Sequence, residues 1–181
     1  KTSRITIAFW YCPETISDDS IAWNDVIRLQ TTSFDGSKTE PFRLEKWGGS
    51  NNYWWYNNGN ASKDHGVPCH TNLLPDYWYH IVLSCDTKTG YWKSWCFDYA
   101  TGEVIYNTDN EITQPCYFEN EITLIKQNNV SRAHYSDVRV YDDFISDKEI
   151  LELRKRPLLH YSFSSPDAGY NAMRGIYNFK D

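Results

Sequence analysis

The sequence predicts an all-β domain, a two-sheet antiparallel jelly-roll sandwich with one short C-terminal helix. Three observations predict it. Aromatic residues make up 17% of the 181, with 8 Trp and 14 Tyr against a single Met, a composition that suits pleated strands better than helices. Short runs of β-branched and aromatic residues alternate with polar ones and recur at roughly 10-residue spacing between Gly, Pro, Asn and Asp. Helix signals occur in one stretch alone, near the C-terminus. A chain of this length can bury a sandwich core without disulfides or metals, and residues 1–157 are read as one domain.

In chain order, Ile5-Thr6-Ile7-Ala8-Phe9-Trp10-Tyr11 alternates and closes at Cys12-Pro13, so it reads as a strand. Val26-Ile27-Arg28-Leu29-Gln30 is the next strand, Asp35-Gly36-Ser37 turns, and Phe42-Arg43-Leu44-Glu45-Lys46-Trp47 alternates up to Gly48-Gly49. Residues 50–76 have no clean period and are rich in Asn, Gly and Pro; they predict a long irregular excursion holding a short aromatic strand, Tyr53-Trp54-Trp55-Tyr56. Tyr77 to Cys85 and Tyr91 to Asp98 flank the turn Asp86-Thr87-Lys88-Thr89-Gly90 as a hairpin. Ala100-Thr101-Gly102 turns into Glu103-Val104-Ile105-Tyr106, and Ile122 to Ile125 and Ser136 to Tyr141 supply two further strands. Ser146 stands three residues before Glu149, the spacing of a capping box, and Pro157 stops the segment, so residues 147–155 are expected to be helical.

Three of these segments, in this order, resemble the laminin-G-like branch of the concanavalin-A-like lectin/glucanase superfamily. Ile5 to Trp10 is similar to that family's aromatic first-sheet strand. Trp78-Tyr79-His80-Ile81-Val82-Leu83-Ser84 and the aromatic strand after it look like its central Trp-x-His-hydrophobic hairpin. The most specific match is Asp137-Val138-Arg139-Val140-Tyr141 with Phe144-Ile145-Ser146-Asp147-Lys148-Glu149-Ile150, similar to its closing strand and capped helix. The resemblance covers residues 5–155 and implies the sandwich fold; the superfamily hosts lectins, adhesion modules, glycan-binding appendages and some glycosidases, and fold alone does not choose among them. One departure stands out. The strand that normally precedes the Ile5 segment is missing, and its pattern occurs instead at Leu158-Leu159-His160-Tyr161-Ser162-Phe163. Residues 158–181 are therefore read as a tail that begins a following module, completes this sheet, or is a strand donated to a neighbouring chain. Together with Lys1 lying so close to a hydrophobic strand, this leads to the expectation of a piece of a longer modular protein.

Charge and motifs exclude several functions. A net charge of -6 with scattered Lys and Arg offers no basic face for phosphates, so nucleic acid is not an expected partner. No stretch approaches the roughly 20 apolar residues needed to span a bilayer, and membrane insertion is not expected. There is no Gly-x-Ser-x-Gly elbow, phosphate loop or His-Glu-x-x-His pair. The Glu-x-Asp-x-x-Glu arrangement of the superfamily's glycosidases is also missing; its nearest approach is Glu119 and Glu121, which would share a strand face. The chain is expected not to be an enzyme and to require no cofactor.

The five cysteines, Cys12, Cys69, Cys85, Cys96 and Cys116, include no C-x-x-C pair; a bridge between Cys85 and Cys96 on one hairpin is open, against the ordinary role of buried Cys as a small hydrophobe. His65, Cys69 and His70 offer soft ligands with no evident fourth for zinc. Asp18, Asp19, Asp142 and Asp143 are acidic loop pairs that would serve calcium, with plain turn chemistry as the alternative. Asn60-Ala61-Ser62 and Asn129-Val130-Ser131 fit the glycosylation sequon.

The aromatic excursion is the candidate ligand site: Trp47, Tyr53, Trp54, Trp55 and Tyr56 among Asn57 and Asn58. In a strand Trp54 and Trp55 point to opposite faces, so one enters the core while the other is left for the apolar face of a sugar. Phe9, Trp10, Trp78, Trp92 and Trp95 are expected to be structural. The expected function is a non-catalytic, glycan-binding recognition module of a larger adhesin, such as a viral tail or fibre protein or a bacterial surface protein. It would act extracellularly, at a cell surface or on a virion. Its partners would be a glycan or cell-surface receptor and neighbouring modules or subunits, a homo-oligomer included. A structural or decoration domain binding protein only is the alternative from another class, and a glycosidase the third.

Overall fold

A computed structural model describes residues 1–14, 23–37, 42–47, 53–56, 66–70, 73–111, 115–124 and 133–154. The strands are β1 (Arg4–Pro13), β2 (Trp23–Ser33), β3 (Phe42–Trp47), β4 (Tyr53–Tyr56), β5 (Gly66–His70), β6 (Tyr79–Asp86), β7 (Tyr91–Asp98), β8 (Val104–Glu111), β9 (Cys116–Leu124) and β10 (Ala133–Tyr141), followed by helix α1 (Asp147–Arg154). They form two five-stranded sheets, β10-β1-β6-β7-β8 and β5-β4-β3-β2-β9, with antiparallel pairing at every rung. The predicted sandwich with its late helix is the observed fold.

The inner faces meet in one core that includes Ile5, Ile7, Phe9 and Tyr11 of β1, Ile81 and Leu83 of β6, Ile27 and Leu29 of β2, Phe42 and Leu44 of β3, and Trp55 of β4. Alternate residues of each strand supply it, as the period-2 pattern requires. Two polar contacts cross this core: the Trp55 indole N–H donates to Ser94 Oγ at 2.7 Å, and the Tyr135 hydroxyl donates to the Val26 carbonyl at 2.6 Å. A smaller apolar cluster lies on the far side of the first sheet, where Ile150 of α1 covers Ala8, Val82, Trp95 and Phe97. The predicted capping box holds that helix in place, with the Ser146 N–H donating to Glu149 Oε2 at 2.8 Å and the Glu149 N–H to Ser146 Oγ at 3.4 Å.

Bulges break the alternation at three places. In β2, Asp25 pairs with Glu45 and Ile27 with Leu44, leaving Val26 as a surplus residue. In β9, four residues pass while β2 advances two, between the pairs Leu29–Ile122 and Thr31–Phe118. In β10, three residues span two of β1, and Asp137 takes the left-handed conformation at φ 46°, which Asp tolerates better than most residues.

Several expectations change. Strand β5 runs through the segment read as irregular, with Pro68 inside it; as an edge strand it needs no donor on its free side. β9 starts at Cys116, before the predicted Ile122. The hairpin register sets Cys85 opposite Trp92 and Cys96 opposite Ile81, four residues apart and so about 13 Å at about 3.3 Å per residue. That exceeds the roughly 7 Å a disulfide spans, and Cys12, Cys85, Cys96 and Cys116 are buried free thiols.

Candidate functional site

The aromatic segment divides as strand geometry demands. Tyr53 and Trp55 face inward; Trp55 has 0% of its surface exposed and packs on Phe42 at 5.8 Å between ring centres. Neither offers a ligand any surface, which corrects their place among the contact residues. Trp54 and Tyr56 hold the alternate positions of β4, and the register sets Trp54 opposite Glu45 and Tyr56 opposite Arg43. Trp47 ends β3 opposite Trp23, while Asn57 and Asn58 lie outside the described residues.

The register neighbours of Trp54 and Tyr56 belong to a group that the sequence reading passed over. Asp25 and Arg28 of β2 and Arg43 and Glu45 of β3 share the face of the second sheet turned away from the core. Arg28 grips Asp25 Oδ2 through Nε and a terminal nitrogen, each at 2.7 Å. Arg43 Nε donates to Glu45 Oε1 and stands 3.9 Å from Asp25 Oδ1. Residues three apart on a regular strand point to opposite faces; Asp25 and Arg28 meet because Val26 and Ile27 both turn inward at the bulge. The Tyr135 hydroxyl, bound to the Val26 carbonyl, anchors that bulge from the opposite sheet.

Within the group the carboxylates lie deep and the guanidinium groups lie shallow. The side chains of Asp25 and Glu45 are 7% and 8% exposed, against 23% for Arg28 and 21% for Arg43. Burial pushes the Glu45 carboxyl above its ordinary range; the neighbouring Asp25 adds to this, and Arg43 opposes it. The outward layer is thus a pair of rigid N–H forks held from behind by ion pairs, suited to accept hydroxyl, carbonyl or carboxylate oxygens of a ligand. Alternation alone marked Arg43 and Glu45 as the polar half of β3, which ordinarily means a solvated face.

Other expected residues fall elsewhere. Glu119 lies in the β9 irregularity, where it binds Lys1 at 2.8 Å and accepts from Thr32, and Glu121 is exposed. Asp142 and Asp143 are exposed, and Asp143 Oδ1 faces Arg4 at 3.4 Å and caps the Phe144 N–H at 2.8 Å. Asp18, Asp19 and His65 lie outside the described residues, and among those described no group of three or more His, Cys, Asp or Glu is placed to hold a metal. His80 is a buried sheet residue ringed by Trp10 and Phe97, and Arg139 pairs with Asp137 at 2.6 Å. Phe9, Trp10, Trp92 and Trp95 are buried as expected, with Trp78 half-buried against His134. Among the described residues no helix is long and apolar enough to cross a membrane.

No family model and no curated protein matches the sequence. Solved structures do match. The binding domain of botulinum neurotoxin DC, in complex with rat synaptotagmin II, is similar over 87% of this chain at a TM-score of 0.60 and 12% identity. This chain covers 37% of that one. The carbohydrate-binding module CBM40 of the Ruminococcus gnavus IT-sialidase, bound to α2,3-sialyllactose, is similar at a TM-score of 0.51 and 14% identity, over 84% of this chain and 83% of that one. A family 7 alginate lyase, A1-II', in complex with substrate, is similar at a TM-score of 0.55 and 11% identity, over 79% and 62%. At such identities the likeness is one of fold, and the fold is the jelly-roll sandwich of the concanavalin-A-like kind.

Proposed function

We propose that this chain is a non-catalytic recognition module of the laminin-G-like branch, directed at glycans. In this reading it is carried by a larger adhesin, such as a viral tail or fibre protein or a bacterial surface protein, and acts outside the cell or on the virion. The observation that carries the reading is the outward face of β2 and β3: two arginine forks seated on buried carboxylates, beside the backbone positions of Trp54 and Tyr56. Fixed polar donors next to an aromatic platform are what a sugar ring needs, with hydroxyls met at the edge and C–H groups at the flat face. That neighbours in fold include a module bound to sialyllactose and a toxin's receptor-binding domain supports the same reading.

The arrangement suits binding better than hydrolysis. Asp25 and Glu45 influence each other directly and are both tied to arginine, whereas a retaining glycosidase keeps its carboxylates free and about 5–5.5 Å apart, with the sugar between them. Neither a cofactor nor calcium enters the proposal. A single shallow face of this kind gives weak affinity, and repetition along a fibre or around an oligomer would supply avidity.

A glycan array probed with the whole chain tests this, in parallel with Arg43→Ala and Trp54→Ala. The reading requires hits that fall at least tenfold in both variants while their circular dichroism stays that of the parent. A broad array with no hit for the parent removes the glycan reading and leaves the protein-only decoration domain.

A further inference from the structure

We propose that the flank between β9 and β10 accepts a β-strand, and that the strand is Leu158-Leu159-His160-Tyr161-Ser162-Phe163 of a second copy of this chain. β9 ends one sheet and β10 ends the other, so both offer a main-chain edge to the same side of the sandwich, whereas on the opposite side β5 and β8 come together. The β9 edge is already receptive: the Phe118 N–H donates to the Thr2 carbonyl at 2.8 Å and the Thr2 N–H returns to the Phe118 carbonyl at 3.4 Å, an antiparallel bridge one residue long. Past that bridge, Asn120 to Leu124 has no strand beside it on this side among the described residues.

Between the edges lies an open cleft of about 470 Å³ with an apolar floor and one apolar wall, Ile5, Phe118, Ile122 and Val140, and a charged rim of Lys1, Glu119 and Asp142. Val140 is 46% exposed and Leu124 37%, an uncommon state for aliphatic residues on edge strands, which are usually blunted by charge or cover. The proposed occupant has the complementary pattern. Leu159, Tyr161 and Phe163 fall on one face of an extended chain, with His160 and Ser162 on the other. Main-chain hydrogen bonds to an edge supply affinity, and alternate side chains in the cleft supply selectivity.

A second copy fits this site better than the chain's own tail. Helix α1 lies on the side of its sheet away from the cleft, with Leu153 packed there. Three residues, 155–157, separate Arg154 from Leu158 and reach at most about 14 Å, too short to round the sheet edge and turn back between the layers. Exchange between two copies closes a dimer, and one-way donation builds a head-to-tail series.

Sedimentation velocity of the full chain over a concentration series tests the proposal, alongside two variants. The first is Leu159→Asp/Tyr161→Asp/Phe163→Asp in the donated segment; the second is Val140→Asp in the cleft, at a site exposed enough to tolerate it. The parent is expected to associate, to twice the mass of one chain or to a longer series. Each variant alone is expected to sediment as a monomer with unchanged circular dichroism. An equimolar mixture of the two is expected to associate again, because one retains the cleft and the other the segment. A parent that stays monomeric overturns the proposal, and so does association that survives either variant or is not restored by mixing. None of these outcomes depends on glycan binding, so this proposal and the functional one fail separately.

Discussion

Trp55 and Trp54 are adjacent in sequence and opposite in expected role, and replacing each separates core from site. Trp55→Ala removes a fully enclosed indole that packs on Phe42 and donates to Ser94 across the two sheets. Truncating a core aromatic costs about 3–5 kcal/mol, and stranding the buried Ser94 hydroxyl adds about 1 kcal/mol. The sum, about 4–6 kcal/mol, is a large part of the 5–15 kcal/mol that typically holds a domain folded. It should lower the melting temperature by about 8–24 °C for a chain of this size. Trp55→Phe keeps most of the packing and loses the donor, at about 1–3 kcal/mol. A cycle with Ser94→Ala should show the two substitutions to be coupled rather than additive. Trp54→Ala, at the alternate position of β4, should cost about 1 kcal/mol or less and abolish array hits. The assay is urea unfolding followed by far-ultraviolet circular dichroism, with glycan binding measured on the same preparations. A Trp55→Ala protein as stable as the parent yet unable to bind would refute the assignment of its ring to the core.

Other expectations rest on the remaining features. Glu45 holds its proton more tightly in the folded chain than its usual 4.5, so its contribution favours folding at low pH and is lost as pH rises through the folded value. Glu45→Gln should therefore raise the melting temperature at about pH 7 and give up that advantage near about pH 4; the opposite trend in calorimetry would contradict the buried-carboxyl account. Burial also pushes the Cys85 and Cys96 thiols up, so a native-state thiol titration should leave Cys12, Cys85, Cys96 and Cys116 unreactive until denaturant is added. Ser146→Ala should cost about 1 kcal/mol by opening the cap of α1, visible as a lower urea midpoint. Tyr135→Phe should cost about 1–3 kcal/mol by freeing the buried Val26 carbonyl and should weaken whatever binding Arg28 supports.

Where alternation was regular, the sequence and the structure agree to the residue: β3, β4 and β7 run over the limits their patterns mark. β5 escaped because Gly66-Val67-Pro68-Cys69-His70 carries no period and a Pro, both tolerable only on an edge. The early half of β9 escaped because its irregularity interrupts the alternation between Phe118 and Ile122. The inward turn of Trp55 follows from the period, although which of two adjacent tryptophans goes inward depends on register with Leu44, a partner eleven residues away. The ionic group was least legible of all. Arg43 and Glu45 look like any solvated pair, and Asp25 and Arg28 stand at a spacing that a regular strand would send to opposite sides.

That last spacing makes strand length informative. β2 carries one residue more than β3 needs, and the Asp25–Arg28 pair exists because of that surplus. Deleting Val26 would leave every inward residue before and after it in phase with a sandwich core, yet would put Asp25 and Arg28 on the same footing as neighbours of ordinary β sequence, unable to meet. Among chains of this architecture, then, a single-residue gap at this point would distinguish those that can seat two guanidinium groups from those with a plain polar sheet, even where the charged residues themselves are retained.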